Sequence, residues 1–192
     1  THFARKIQYP LSLHHLLTVA RANYLIGKQS FKENVFQTSA NETIHLQEMN
    51  ALVAKDGTAL FLTTHSIYQG LVCYHLSDFA KAKEHFVLAQ QSLQTTLGII
   101  NELVFDLYYA LTLLAIANTK IAISSTEKSI IQRVRKRYKI LAITSPVNYE
   151  VHSLLVEAEW HQYQKDIVQA EKLYAAAREK SMTQNNHWFI AL

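Results

Sequence analysis

The sequence predicts an all-α chain, and three observations predict it. The first is the scarcity of chain breakers: Gly 4 and Pro 2 in 192 residues, where average usage would give roughly 23 together. So few turn-formers cannot supply the tight hairpins of a sandwich or barrel. The second is apolar spacing that follows the helical period nearly everywhere. The third is an internal repeat, described below. Hydrophobic residues make up 49% of the chain, enough to fill a core, so a disordered tail is excluded.

Taken in order, a first helix is expected over roughly 11–26, closed by Gly27 as an αL cap. A polar, irregular link follows over 28–40, with Phe31 and Phe36 as anchors, and a second helix runs over about 42–56 between Asn41 and Gly57. From Thr58 on, helices arrive in pairs: about 59–76 with 79–96, 102–118 with 127–143, and 149–164 with 167–183. Ser124-Ser125-Thr126-Glu127 has the form of a capping box, and Ser145-Pro146 ends one helix and starts the next. The chain opens on Thr1 rather than Met and stops within Trp188-Phe189-Ile190-Ala191-Leu192. A piece of something longer is the expectation.

The segment Ser77–Ala89 aligns with Lys165–Ala177 at one offset of 88 residues. Gly70 then meets Ala158, Phe79 meets Ile167, Ala82 meets Ala170, Phe86 meets Tyr174 and Ala89 meets Ala177. Small residues at 70/158 and 82/170 let the two helices of a hairpin approach closely. The aromatics at 86/174 fill the gap toward the next hairpin, and Ala at 89/177 leaves room for the following helix. This order of residues resembles the tetratricopeptide repeat. The offset is twice 44, and a shift of 44 puts Thr126, Ile130 and Arg133 at the signature positions, so the middle hairpin is a degenerate copy. The expected architecture is a short right-handed α-solenoid of stacked antiparallel helical hairpins. It forms one helical-repeat domain over 1–192: an N-terminal helical pair (1–57), a repeat hairpin (58–98), a degenerate hairpin (101–143), a repeat hairpin (146–184) and the start of a truncated helix (185–192).

Several chemistries lack their residues. A lone cysteine, Cys73, excludes an intramolecular disulfide framework and a Cys-based zinc finger, and mid-helix it reads as a small buried hydrophobe. Ten histidines invite a metal, yet His14 and His15 point about 100° apart on a helix. Glu157 and His161 share a face without a second such pair. No serine elbow or Gly-rich phosphate loop occurs. No catalytic residue, cofactor or metal is therefore expected. The early apolar stretch is broken by His14, His15 and Arg21, so a signal peptide is not expected in it. Leu103–Ala117, the most apolar run, has 15 residues and contains Asp106 and Thr112, short of the about 20 that a membrane span needs. A soluble, cytoplasmic chain is expected.

The net charge is +4, and it is localised. Residues 127–139 carry six cations and one anion, a net of +5, so the rest sums to −1. Ile130, Ile131, Val134, Tyr138 and Leu141 form one apolar stripe on this helix. That leaves Arg133, Arg135, Lys136, Arg137 and Lys139 opposite it, as a solvated face or as a docking surface for an acidic partner or anionic lipid. No aromatic platform accompanies them, so nucleic acid is not an expected partner. The repeat register places Thr64, Ile67, Leu71, Tyr74 and His75 in a concave groove, together with His152, Leu155, Glu159, Gln162 and Tyr163. Mixed aromatic, polar and titratable residues there suit a protein or peptide; the alternative is that neighbouring helices of a parent protein cover them.

Four further stretches resemble one family: Leu25-Ile26-Gly27 leading to Phe31-Lys32-Glu33, the block Tyr68–Phe79, Phe105–Leu111, and Pro146-Val147-Asn148-Tyr149 with Leu154–Glu159. Their order and spacing resemble the helical-repeat region of large bacterial signalling proteins. In those, a serine/threonine kinase-like domain and an AAA (STAND-type) ATPase precede the repeats, and sensors with a histidine kinase follow. The resemblance implies a non-catalytic connector that binds a protein or packs on neighbouring domains of the same chain. The alternative is a free-standing tetratricopeptide adaptor, or the ligand-sensing arm of a transcription regulator.

Overall fold

The computed structural model describes residues 59–96, 100–119 and 121–183. Among them are six α-helices, one short 3-10 turn and no strand. The helices expected over 11–26 and 42–56, the link 28–40 and the segment 185–192 lie outside the described residues. The chain divides into two compact units, Thr1–Phe105 and Asp106–Leu192. The first holds α1 (Ala59–His75), α2 (Phe79–Gln90), the 3-10 turn Leu93–Thr96 and the start of α3 (Ile100–Asn118). The second holds the rest of α3, then α4 (Ser125–Thr144), α5 (Pro146–Tyr163) and α6 (Ile167–Thr183).

Two connections show why the sequence repeat folds as it does. After α1, the Asp78 N–H donates to Cys73 O and the Ser77 N–H to Tyr74 O, the paired bonds of a Schellman cap. Ser77 takes the left-handed conformation at φ 59°. Asp78 then caps α2 at once, its carboxylate accepting the Lys81 N–H at 3.2 Å. Shifted by 88 residues, every part recurs. Asp166 N–H donates to His161 O and Lys165 N–H to Gln162 O, Lys165 has φ 67°, and Asp166 accepts the Gln169 N–H at 3.3 Å. Left-handed backbone costs an L-residue about 1–2 kcal/mol, which glycine avoids at some cost in unfolded-state entropy. Lys165→Gly is therefore expected to stabilise the chain by about 0.5–1 kcal/mol, read as a raised urea midpoint.

The other helix ends follow their local chemistry. Ser124 accepts the Glu127 N–H while Glu127 Oε2 accepts the Ser124 N–H at 2.7 Å, so the capping box forms and α4 starts at Ser125. Pro146 sits at the first position of α5, three residues before the apolar pattern begins. Helix α2 stops at Gln90, short of the expected 96, because Thr63 Oγ1 donates to Ser92 O at 3.2 Å and the last bonds tighten to i−3 spacing.

Packing bears out the close-approach positions. Gly70 is so near α2 that a Cβ there would stand 2.8 Å from the Phe86 ring. Ile67, Ala82, Phe86 and Ala89 are fully buried, and the Phe86 ring meets Phe105 edge-on at 5.9 Å. In the second unit Ala158, Ala170 and Ala177 are buried too. Ala177 joins Val151 and Leu155, so it receives the first helix of its own hairpin. Of the α4 stripe, Ile131, Val134 and Tyr138 are buried, and Ile130 and Leu141 half-buried. Among the described residues no helix is long and apolar enough to cross a membrane.

Candidate functional site

The proposed groove residues fall into two sets, one in each unit. In the first, Leu71, Tyr74 and His75 are half-buried. The Tyr74 ring lies 5.6 Å from His75 and 5.6 Å from Phe79. Thr64 and Ile67 are a correction: Ile67 is fully buried, and Thr64 is buried where its hydroxyl accepts the Asn101 amide at 3.3 Å. Helix α1 is apolar on more than one side, so both belong to the core. In the second set Leu155 is a correction of the same kind, packed with Val151 and Ala177.

His152 stacks on Tyr138 at 5.8 Å and tilts toward Tyr149 at 5.9 Å. Tyr163 meets Trp160 at 5.4 Å. Glu159 and Gln162 converge on one phenol, Tyr174 Oη, which lies 2.6 Å from Glu159 Oε1 and 2.9 Å from Gln162 Oε1. Tyr174 and Asn118, whose amide reaches Glu159 Oε2 at 3.4 Å, are site members that the sequence reading missed. The repeat alignment marks Tyr174 only as a packing aromatic and nothing marks Asn118, because the contacts join different helices.

Burial lowers the imidazoles of His75 and His152 to about 4, a hydrogen bond donated to the Asn148 backbone opposing this at His152. Both histidines are thus neutral when folded at a pH where unfolded histidine takes up a proton. Their contribution to stability is full above 6.5 and is lost as the pH falls toward about 4. His152→Phe keeps the stack on Tyr138 and removes the proton. At about pH 5 the variant is expected to lose about 2 kcal/mol less stability, relative to pH 7, than the unsubstituted chain in urea unfolding. Equal losses would contradict the burial of a neutral ring.

The basic helix is also corrected. Arg133 and Arg137 donate to the two oxygens of Asp106 at 3.0 and 2.6 Å, and Asp106 is buried. Arg135 holds both oxygens of Glu157 at 2.7 Å and lies 4.5 Å over the Trp160 ring. Lys139 adds a 3.2 Å bridge to Glu157. Burial alone would raise the Glu157 carboxyl; Arg135, then Lys139, outweigh it and hold it below its ordinary value. Four of the five cations are therefore counterions of α3 and α5 carboxylates rather than a free face, because those helices flank α4. Lys136 alone of the five stands exposed without an ion pair among the described residues. Asp106, the one charge in the most apolar run, was the legible signal: a buried carboxylate demands a cation.

Among the described residues no three His, Cys, Asp or Glu side chains gather as a metal cluster. Cys73 is half-buried, and burial, then Asp78, push its thiol up, Lys81 opposing. No family model matches the chain, and no curated protein or solved structure shows significant similarity to it.

Proposed function

We propose that this chain is a non-catalytic scaffold for protein–protein contacts, acting as a connector within a larger cytoplasmic signal-transduction protein of the ATPase and kinase kind. The observation that carries the reading is one hairpin design used twice, 88 residues apart, with the same left-handed cap, the same Asp N-cap and small residues at the same places where the helices touch. Such hairpins stack into a right-handed tetratricopeptide-like solenoid, with α3 and α4 as the degenerate middle copy. Small rotations between hairpins add into changes of curvature, which suits a relay. The contacts are to a protein or peptide, or to neighbouring domains of the same polypeptide, and not to nucleic acid. The internal neutralisation of the basic helix supports leaving nucleic acid out.

The half-buried Leu71, Tyr74, His75, Gln162 and Tyr163 favour a second reading, a free-standing adaptor or ligand-sensing arm that takes a peptide or small molecule. Reading the encoding frame outward on both sides separates the two. A Gly-x-x-x-x-Gly-Lys-Ser/Thr loop upstream and a kinase module downstream is the expected result. Start and stop codons close on either side would sink the connector. Tyr74→Ala and Tyr163→Ala would then be the variants on which to measure lost ligand binding.

A further inference from the structure

Glu157 and Glu159 stand two residues apart on α5 and meet opposite surroundings. Glu157 has Arg135 and Lys139 of α4. Glu159 meets no cation among the described residues. It has the Tyr174 phenol from α6 and, through a longer bond, the neutral Asn118 amide from α3. From its own helix, Gln162 reaches the same phenol. A phenol carries one hydrogen, yet carboxyl and amide oxygens both lie within 3 Å of this one. One hydrogen cannot serve two acceptors in full. The second must come from Glu159, or from the Gln162 amide turned over.

We propose that the Glu159 carboxyl holds a proton and donates it to Tyr174, which passes its own hydrogen to Gln162. The chain Asn118–Glu159–Tyr174–Gln162 is then a neutral joint of α3, α5 and α6 that loss of one proton opens. Asn118 Nδ2 donates to the Glu159 carbonyl oxygen, Glu159 Oε1 donates to Tyr174 Oη, and Tyr174 donates to Gln162 Oε1. Each of the three lines then holds one hydrogen. An ionised Glu159 would claim the phenol hydrogen, leave Gln162 Oε1 without one, and set a charge among neutral groups at a cost that burial makes large. Burial already pushes this carboxyl above 4.5, the Tyr174 bond opposing it only in part. The nearby charges are turned elsewhere: Glu157 to α4, and His161 to Asp166 at 3.1 Å. The inference does not depend on the scaffold reading.

The first test is a carbon-13 titration of the glutamate carboxyls in the unsubstituted protein. The Glu159 signal is expected to titrate clearly above 4.5. A midpoint at or below the ordinary value would mean that a turned Gln162 amide supplies the second hydrogen, and would overturn the proposal. The second test is Glu159→Gln, whose amide can donate to Tyr174 and accept from Asn118. A carboxyl raised on folding stabilises below its unfolded value and loses that contribution as the pH rises through its folded one. The folded-to-unfolded ratio of the variant, relative to the unsubstituted chain, is therefore expected to grow several-fold between about pH 5 and about pH 8. A ratio that stays level or falls over that range counts against the joint.

Discussion

Replacing Arg133 and Arg137 together by alanine is expected to cost about 3–5 kcal/mol of folding stability. The Asp106 side chain is 2% exposed, whereas those of Arg133 and Arg137 are 57% and 35% exposed. The carboxylate is thus fixed in the interior, and the two guanidinium groups bring their charge to it from solvent. Removing one leaves the other. Arg133→Ala alone is expected to cost less than Arg137→Ala, whose bond is shorter and whose head is less exposed. Removing both strands a charge in α3 between Phe105 and Leu107, which are themselves buried.

The decisive variant adds Asp106→Leu to the double replacement. If the cost comes from an uncompensated buried charge, the triple variant recovers most of it, because apolar groups in place of a buried ion pair are often neutral or better. If the arginines matter for their stems packed along α4, the triple stays as unstable as the double. Urea unfolding of the three variants separates the causes.

The same network shows where the sequence was readable. Elements set by neighbours in sequence came through: the capping box at Ser124 and Glu127, the Ser145-Pro146 break, and the paired turns at Ser77 and Lys165. The phase of α4 was also right, since Ile131, Val134 and Tyr138 are buried. The surroundings of its other side were not legible, because they depend on which helices flank α4 and where their carboxylates fall. The early stop of α2 has the same origin, a hydroxyl donated from Thr63 across 29 residues. The groove assignments at Thr64, Ile67 and Leu155 failed for a third reason. A repeat register gives a position in a hairpin, but core filling decides whether that position stays open. The Glu159–Tyr174 contact joins residues 15 apart on antiparallel helices, and no periodicity encodes it.

Phe86→Ala is expected to cost about 3–5 kcal/mol, and the informative result lies in its coupling to Gly70. Phe86 is fully buried against Gly70 on one side and Phe105 on another. In the unsubstituted chain, Gly70→Ala faces two opposed effects. Mid-helix alanine gains about 1 kcal/mol over glycine, while a methyl group 2.8 Å from a ring held on all sides costs roughly 1–3 kcal/mol in overpacking. The net is expected to be destabilising by about 1 kcal/mol. With Phe86 truncated, the obstruction is gone and only the helical gain is left, so the same Gly70→Ala change is expected to stabilise by about 1 kcal/mol. The sign reverses between the two backgrounds, which a double-mutant cycle in urea reads directly. Additive effects would mean that the ring relaxes away from the new methyl. Gly70 would then be a replaceable helix residue, and the small-residue position that the repeat places there would lose its physical reason.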